Sequence, residues 1–87
     1  HPMLRQSVVR ARQPHWIGGV LPDAARSYGA KTRYRQPDAR CRFTHLDEDG
    51  FELAFESAQW APTPGQYAVL YDGEVCLGGG VIAEASA

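Results

Sequence analysis

The chain has 87 residues, a formal net charge of −1 and two cysteines. A chain of this length forms one domain with a modest core, so it cannot hold a nucleotide-binding domain together with a substrate domain. The near-zero charge gives no global attraction for a polyanion, and two isolated cysteines exclude a zinc ribbon or a redox CxxC pair.

Alternation with a period of two residues, bounded by glycine, proline or aspartate, recurs about every ten residues and predicts a small all-β domain. The first predicted strand covers residues 7–13 and places Val9 and Ala11 on one face. Pro14 is expected to end this strand, because proline cannot donate a ladder hydrogen bond. Residues 15–17 are then expected to form a short apolar anchor before a loop.

The next two predicted strands carry most of the positive charge. Residues 28–35 place Lys31, Arg33 and Arg35 on one face, and residues 40–46 repeat the alternation with two more arginines. Six of the nine basic residues lie between Arg26 and Arg42, with Asp38 as the one acidic residue among them. If the two strands pair in antiparallel fashion, their basic faces merge into one positive stripe.

Turn signals divide the second half of the chain into further strands. Residues 47–50 predict a hairpin turn in which Gly50 takes a positive φ, Pro64-Gly65 suits the centre of a type II turn, and Asp72-Gly73 is the strongest hairpin signal. Residues 51–56 alternate in the same way as the earlier strands, with Phe51, Leu53 and Phe55 inward.

Two further segments complete the prediction of the fold. Residues 68–71 are apolar on both faces and predict a covered central strand. The triple glycine at 78–80 predicts a bulge, a barrel corner or the close approach of another backbone. About six short strands with these turns predict a small six-stranded antiparallel β-barrel.

Catalytic and metal-binding interpretations find little support. The glycine run is not followed by the Lys-Ser or Lys-Thr pair of a phosphate-binding loop, and the three histidines have no partner at metal-ligand spacing. Cys76 could pair with His15 or His45 as a nucleophile, but its apolar neighbours predict a buried, unreactive thiol. We expect Cys41 to be a buried free thiol as well, and no catalytic residue, metal or cofactor in the domain.

The basic face of residues 28–35 is the strongest candidate for a binding site. Its guanidinium groups can grip phosphates, while the amides of Gln36 and Gln66 can hydrogen-bond a base edge or a ribose. The alternative is a merely solvated face. We interpret the following aromatic side chains as core rather than as exposed stacking platforms: Trp16, Trp60, Tyr34 and Tyr71.

Three blocks of the sequence resemble the end of the bacterial tRNA-specific 2-thiouridylases. They are residues 31–36 followed shortly by Cys41, residues 63–66, and the long segment 71–82. The last block is the most specific, and the resemblance runs from His1 to Ile82, nearly the whole chain.

The resemblance implies that residues 1–87 are a single C-terminal β-barrel domain of a longer, cytoplasmic transferase. That parent enzyme uses ATP with Mg to activate the wobble uridine of tRNA and replaces its 2-oxygen with sulfur supplied by a carrier protein. Its adenylating loop and catalytic cysteines belong to upstream catalytic and central domains, not to this chain. The family's barrel helps to hold tRNA, which points to the following residues as the RNA-binding set: Lys31, Arg33, Arg35, Gln36 and Gln66.

Two other expectations follow from the sequence. A purely structural barrel, whose arginines pair with carboxylates of a neighbouring domain, is the alternative to direct RNA contact. No apolar run approaches the roughly 20 residues of a membrane-spanning helix, so we expect a soluble protein without a membrane partner.

Overall fold

The computed structural model of the chain describes residues 5–33, 37–60 and 62–87. The strands are β1 (Arg5–Trp16), β2 (Ser27–Lys31), β3 (Ala39–Asp47), β4 (Gly50–Trp60), β5 (Tyr67–Asp72) and β6 (Val75–Ser86), and a short 3₁₀ turn (Ile17–Gly19) follows β1. Every neighbouring pair is antiparallel, and the order β1-β4-β3-β2-β5-β6 closes through pairing of β6 with β1. The predicted all-β class and six-stranded antiparallel barrel are confirmed.

Alternation along the strands fills the barrel with apolar side chains. Val9, Phe43, Phe51 and Leu53 are each at most 2% exposed, and their outward neighbours are mostly charged or polar. Trp16 packs edge-on against Phe43, with ring centroids 5.4 Å apart and planes at 86°. Burial of each such side chain contributes roughly 1.5–3 kcal/mol. The prediction that Trp16 belongs to the core is confirmed.

The first strand continues through Pro14, so the prediction that proline ends it is wrong. The pairing of β1 with β6 shifts register between Arg12 and His15, and Gln13 has a φ of 52°. This bulge takes Pro14 out of the regular ladder, where its missing N–H would have left a carbonyl without a donor. The Gln13 N–H donates instead to the carbonyl of Asp49, at 3.2 Å.

The turn predictions for Gly65 and Gly50 had different outcomes, and the hairpin predicted at Asp72-Gly73 joins β5 to β6. Gly65 has a φ of 91°, which a type II turn requires at its second central residue, so that prediction is confirmed. Gly50 does not have a positive φ and begins β4 in an extended conformation, so that prediction is wrong. The turn does not require a positive φ at Gly50, because the Asp47 carboxylate stabilises it by accepting a 2.8 Å hydrogen bond from the Asp49 N–H.

The fifth strand is covered on one face only. Ala68 and Leu70 are fully buried, whereas Val69 and Tyr71 lie half-buried on the outside. The prediction of a strand covered on both faces is wrong, because a single closed barrel has no second layer to cover its outer surface. The apolar outer face of β5 is therefore available to line a surface groove.

The triple glycine brings β6 very close to its neighbours. A Cβ on Gly79 would overlap the carbonyl oxygen of Ala68, and a Cβ on Gly78 would overlap that of His15. Gly78 also has a φ of 128°, which residues with side chains rarely adopt. The predicted close approach of another backbone is confirmed.

Candidate nucleic-acid interface

The strand that carries the predicted basic face is shorter than expected. β2 ends at Lys31, while Tyr28, Ala30 and Thr32 are buried and Lys31 and Arg33 are not. The predicted alternation is therefore confirmed through position 33, where Arg33 lies exposed in a bend. The predicted residues Arg35 and Gln36 lie outside the described residues.

Three of the predicted residues come together beside β5. In the antiparallel pairing of β2 with β5, Lys31 lies opposite Val69, so Arg33 comes next to Tyr67. Lys31, Arg33 and Gln66 form the sides of an open groove whose floor is the outer face of β5. We call this the tyrosine groove and define it by its lining residues: Lys31, Thr32, Arg33, Gln66, Tyr67, Val69 and Tyr71.

Lys31 is held in place by an aromatic ring. Its Nζ lies 5.2 Å from the centroid of the Tyr71 ring, a cation–π contact worth about 0.5–1 kcal/mol at a partly exposed site. The contact fixes the ammonium group at one end of the groove. Tyr71 was interpreted as core from the sequence, but it is half-buried and supports the lysine from outside the barrel.

Gln66 is positioned by its backbone. Its N–H donates to the carbonyl of Thr63 at 3.1 Å, and its own carbonyl accepts from the Ile82 N–H at 2.8 Å. The turn that carries Gln66 is thus fastened to β6 while the side chain stays exposed. An amide held in this way can donate to and accept from a nucleotide without reorganisation of the loop.

Tyr67 was missed by the sequence analysis. Its side chain is 46% exposed, and it lines the tyrosine groove together with Arg33 and Gln66. The signal was present, because β5 turns Ala68 and Leu70 inward and therefore turns Tyr67 outward. An exposed aromatic ring beside a guanidinium group is a platform on which a base can stack.

Three arginines elsewhere on the barrel form ion pairs with carboxylates. Arg10 lies between Glu52, at 3.0 Å, and Glu84, at 3.3 Å, and the hydrogen bond and charge of Glu52 raise the pKa of Arg10. The other ion pairs are Arg12–Asp49 at 3.7 Å and Arg26–Asp72 at 3.3 Å. Across the described parts of the chain, no carboxylate lies within 4.0 Å of the cationic group of Lys31 or Arg33.

The predicted positive stripe across β2 and β3 is interrupted. These strands do pair in antiparallel fashion, with Arg40 opposite Gly29, and Arg40 and Arg42 are both exposed. The Asp38 carboxylate, however, lies directly over Gly29, the residue that pairs with Arg40. Arg42 donates to the carbonyl of Ala25 at 3.2 Å. The usable positive charge is therefore concentrated at the Arg33 end of the tyrosine groove.

The two cysteines differ in their surroundings. Cys41 is fully buried, as predicted, and desolvation raises the pKa of its thiol to about 12, so it stays protonated. Cys76 is exposed, so the prediction that it is buried is wrong. Cys76 lies next to the turn of the β5–β6 hairpin, where Val75 is 64% exposed and Leu77 is only partly buried against the core.

A Cys–His nucleophile receives no support from this arrangement. No described histidine is among the residues that line the surface around Cys76. The described residues also contain no cluster of three histidine, cysteine, aspartate or glutamate side chains suited to a metal ion. No helix in the described ranges is long and apolar enough to cross a bilayer.

Comparison with known families agrees with the barrel. Residues 6–82 match the model of the aminomethyltransferase β-barrel domain. The chain belongs to this family. Among curated proteins, this barrel domain is 60% identical over 82 residues to the tRNA-specific 2-thiouridylase of Thiobacillus denitrificans, covering 94% of the chain and 23% of that relative. It is 61% identical over 82 residues to the Bordetella pertussis protein of the same name, covering 94% of the chain and 22% of the relative.

These relatives confirm the resemblance that the three sequence blocks indicated. The barrel domain spans less than a quarter of the length of the curated relatives it matches. The activity in their name is that of those whole proteins.

Proposed function

We propose that this chain is the C-terminal domain of a tRNA-uridine 2-sulfurtransferase and that its tyrosine groove holds tRNA against the catalytic part of that enzyme. In this proposal the parent is a cytoplasmic enzyme that uses ATP with Mg to activate the wobble uridine and replaces its 2-oxygen with sulfur from a carrier protein. Support for the parent family comes from relatives of about 60% identity that bear the name tRNA-specific 2-thiouridylase.

The observation that carries the RNA-binding role is the convergence of four complementary groups in one groove. Lys31 and Arg33 supply cations without a carboxylate partner among the described residues, Gln66 supplies an exposed amide, and Tyr67 supplies a stacking surface. Phosphates are bound by such cations, whereas unstacked bases are recognised by aromatic faces and amides. The same groove suits RNA better than an apolar ligand, because its sides are polar and it is open to solvent.

The predicted residues Arg35 and Gln36 keep their proposed role as further RNA contacts. They stand two and three positions after Arg33 in the sequence, and Arg35 adds one more positive charge to this part of the chain. The competing proposal is a structural barrel whose arginines pair with a neighbouring domain. Arg10, Arg12 and Arg26 already have carboxylate partners within the barrel, whereas Lys31 and Arg33 have none among the described residues.

Substitution of the groove cations in the full-length enzyme tests this role. We expect Lys31→Ala and Arg33→Ala each to weaken tRNA binding roughly three- to tenfold, as for the loss of one polar contact. Each variant should also reduce the slope of log K against log salt by about one, because one phosphate contact is lost. Binding isotherms at four or five salt concentrations measure both quantities.

Arg10→Ala is the matched control. It removes the same kind of charge, but Arg10 lies on β1 and its guanidinium is paired with the carboxylates of Glu52 on β4 and Glu84 on β6. Its tRNA affinity and salt slope should equal those of the wild type. If the Lys31 and Arg33 variants also bind as the wild type does at every salt concentration, the groove is not the tRNA contact.

A further inference from the structure

A second surface of the barrel is apolar, in contrast to the tyrosine groove with its cations and amide. Ile17, Val20, Leu21 and Val75 are 56%, 71%, 49% and 64% exposed, and they line one shallow depression together with Pro22, Cys76 and Leu77. We call this set the apolar patch. It gathers four of the six large hydrophobic side chains that are exposed in the described residues. Clustered exposure of this kind marks an interaction surface, whereas scattered apolar residues do not.

The loop that presents the apolar patch is fixed by polar contacts. The Asp23 N–H donates to Tyr28 Oη at 2.8 Å, and the Asp23 carboxylate accepts from the Ala25 N–H at 2.8 Å. Arg26 forms an ion pair with Asp72 at 3.3 Å and lies 5.5 Å from the centroid of the Tyr28 ring. These contacts hold the loop open, so its apolar side chains face solvent instead of folding over the barrel end. A surface held in this way loses little entropy when a partner covers it.

We propose that the apolar patch is the surface on which the barrel packs against the remainder of its parent polypeptide. A nucleic acid is a poor occupant, because the one cation that lines the same depression, Arg26, is already paired with Asp72. The rest of the parent chain is a better occupant. In the curated relatives the barrel matches only 22–23% of the length, and the remaining residues are covalently linked to it.

Size also favours a tethered partner over a second copy of the barrel. A stable dimer buries roughly 800 Å² on each partner, and four exposed side chains offer much less than that. A covalently linked domain is present at a high effective concentration, so a smaller apolar contact keeps it docked. The inference does not depend on the tyrosine groove, because the two surfaces share no lining residue.

Cys76 makes this docking measurable in the full-length protein. It lies exposed within the apolar patch, whereas Cys41 is buried in the core and reports whether the barrel is folded. We expect iodoacetamide to alkylate Cys76 at least tenfold more slowly in native full-length protein than in the same protein carrying Val20→Asp or Leu21→Asp. Peptide mass spectrometry measures both cysteines. Leu46→Asp is the control, since Leu46 is an exposed apolar residue outside the patch, and it should keep Cys76 protected.

The measurement contains no tRNA, so its outcome is separate from that of the RNA-binding test. Fast alkylation of Cys76 in the wild-type protein, with Cys41 unmodified, would overturn the proposal. Protection that increases with protein concentration would also overturn it, because the occupant would then be a second copy. If an aspartate variant exposes Cys41 as well, it has unfolded, and the wild-type rates measured at two protein concentrations decide the question.

Discussion

At the scale of single residues, the tyrosine groove combines groups that bind different parts of a nucleotide. Lys31 is held over Tyr71 and Gln66 is held by a turn fastened to β6, so neither must be reorganised on binding. Tyr67 contributes an exposed ring next to Arg33. We therefore predict that the cations determine how tRNA binding depends on salt. Stacking on Tyr67 should contribute a part of the binding free energy that salt does not screen.

Tyr67 can be tested by two substitutions in the full-length enzyme. Tyr67→Ala should weaken tRNA binding by about 1–3 kcal/mol, the usual contribution of a base stacked on an aromatic side chain. Tyr67→Phe should retain most of the affinity, because the ring is kept and only the hydroxyl is lost. Titration of the enzyme against labelled tRNA measures both, and the salt slope should stay unchanged in each variant.

Equal losses for the alanine and phenylalanine variants would show that the hydroxyl, and not the ring, makes the contact. If neither variant loses tRNA affinity, Tyr67 does not contact the tRNA, and the cations are the groove residues that remain to be tested.

At the scale of strands, the contact between β5 and β6 determines the geometry of the groove. Gly79 lies against the backbone of Ala68, with no room for a side chain. Gly79→Ala should therefore force the two strands apart and lower the free energy of unfolding by about 3 kcal/mol. Urea unfolding of the 87-residue chain measures this change.

Gly18→Ala separates this steric effect from a purely conformational one. Gly18 has a φ of 72° and nothing within 4 Å of the position that a Cβ would take. We expect a cost of about 1 kcal/mol there, because only the left-handed backbone conformation is penalised. If the two variants are equally destabilised, crowding at Gly79 is not what holds β5 and β6 in their register.

The sequence predicted the strands well because their alternation is a local property. Val9, Ala11, Phe51 and Leu53 could be assigned to the interior from spacing alone, and all four are buried. The error at Pro14 arose because a bulge depends on the register with β6, a strand more than sixty residues away in the chain.

Only part of the site could be predicted, because local alternation shows which side chains share a face but not which strands pair. Lys31 and Arg33 share a face by local alternation, but their approach to Gln66 and Tyr67 requires β2 to pair with β5. That pairing is set by closure of the barrel and has no local signal. Cys76 was assigned to the core because its neighbours are apolar, and only the position of the hairpin end shows that these neighbours form a surface patch.

At the scale of the whole molecule, the barrel carries two surfaces of opposite character. The tyrosine groove offers cations, an amide and aromatic rings, whereas the apolar patch offers aliphatic side chains on a fixed loop. They share no lining residue. In the account proposed here, one surface faces tRNA while the other faces the rest of the enzyme, so a small, nearly neutral domain can hold the substrate in place.

The most direct test of the RNA-binding groove uses Lys31, the one lysine in the 87 residues. Acylation of full-length enzyme with an amine-reactive ester, with and without substrate tRNA, can be followed on the peptide that contains Lys31. The account predicts that tRNA slows acylation of Lys31 at least fivefold, while alkylation of Cys76 in the same samples does not change. Equal acylation of Lys31 with and without saturating tRNA would contradict the claim that this groove holds the RNA.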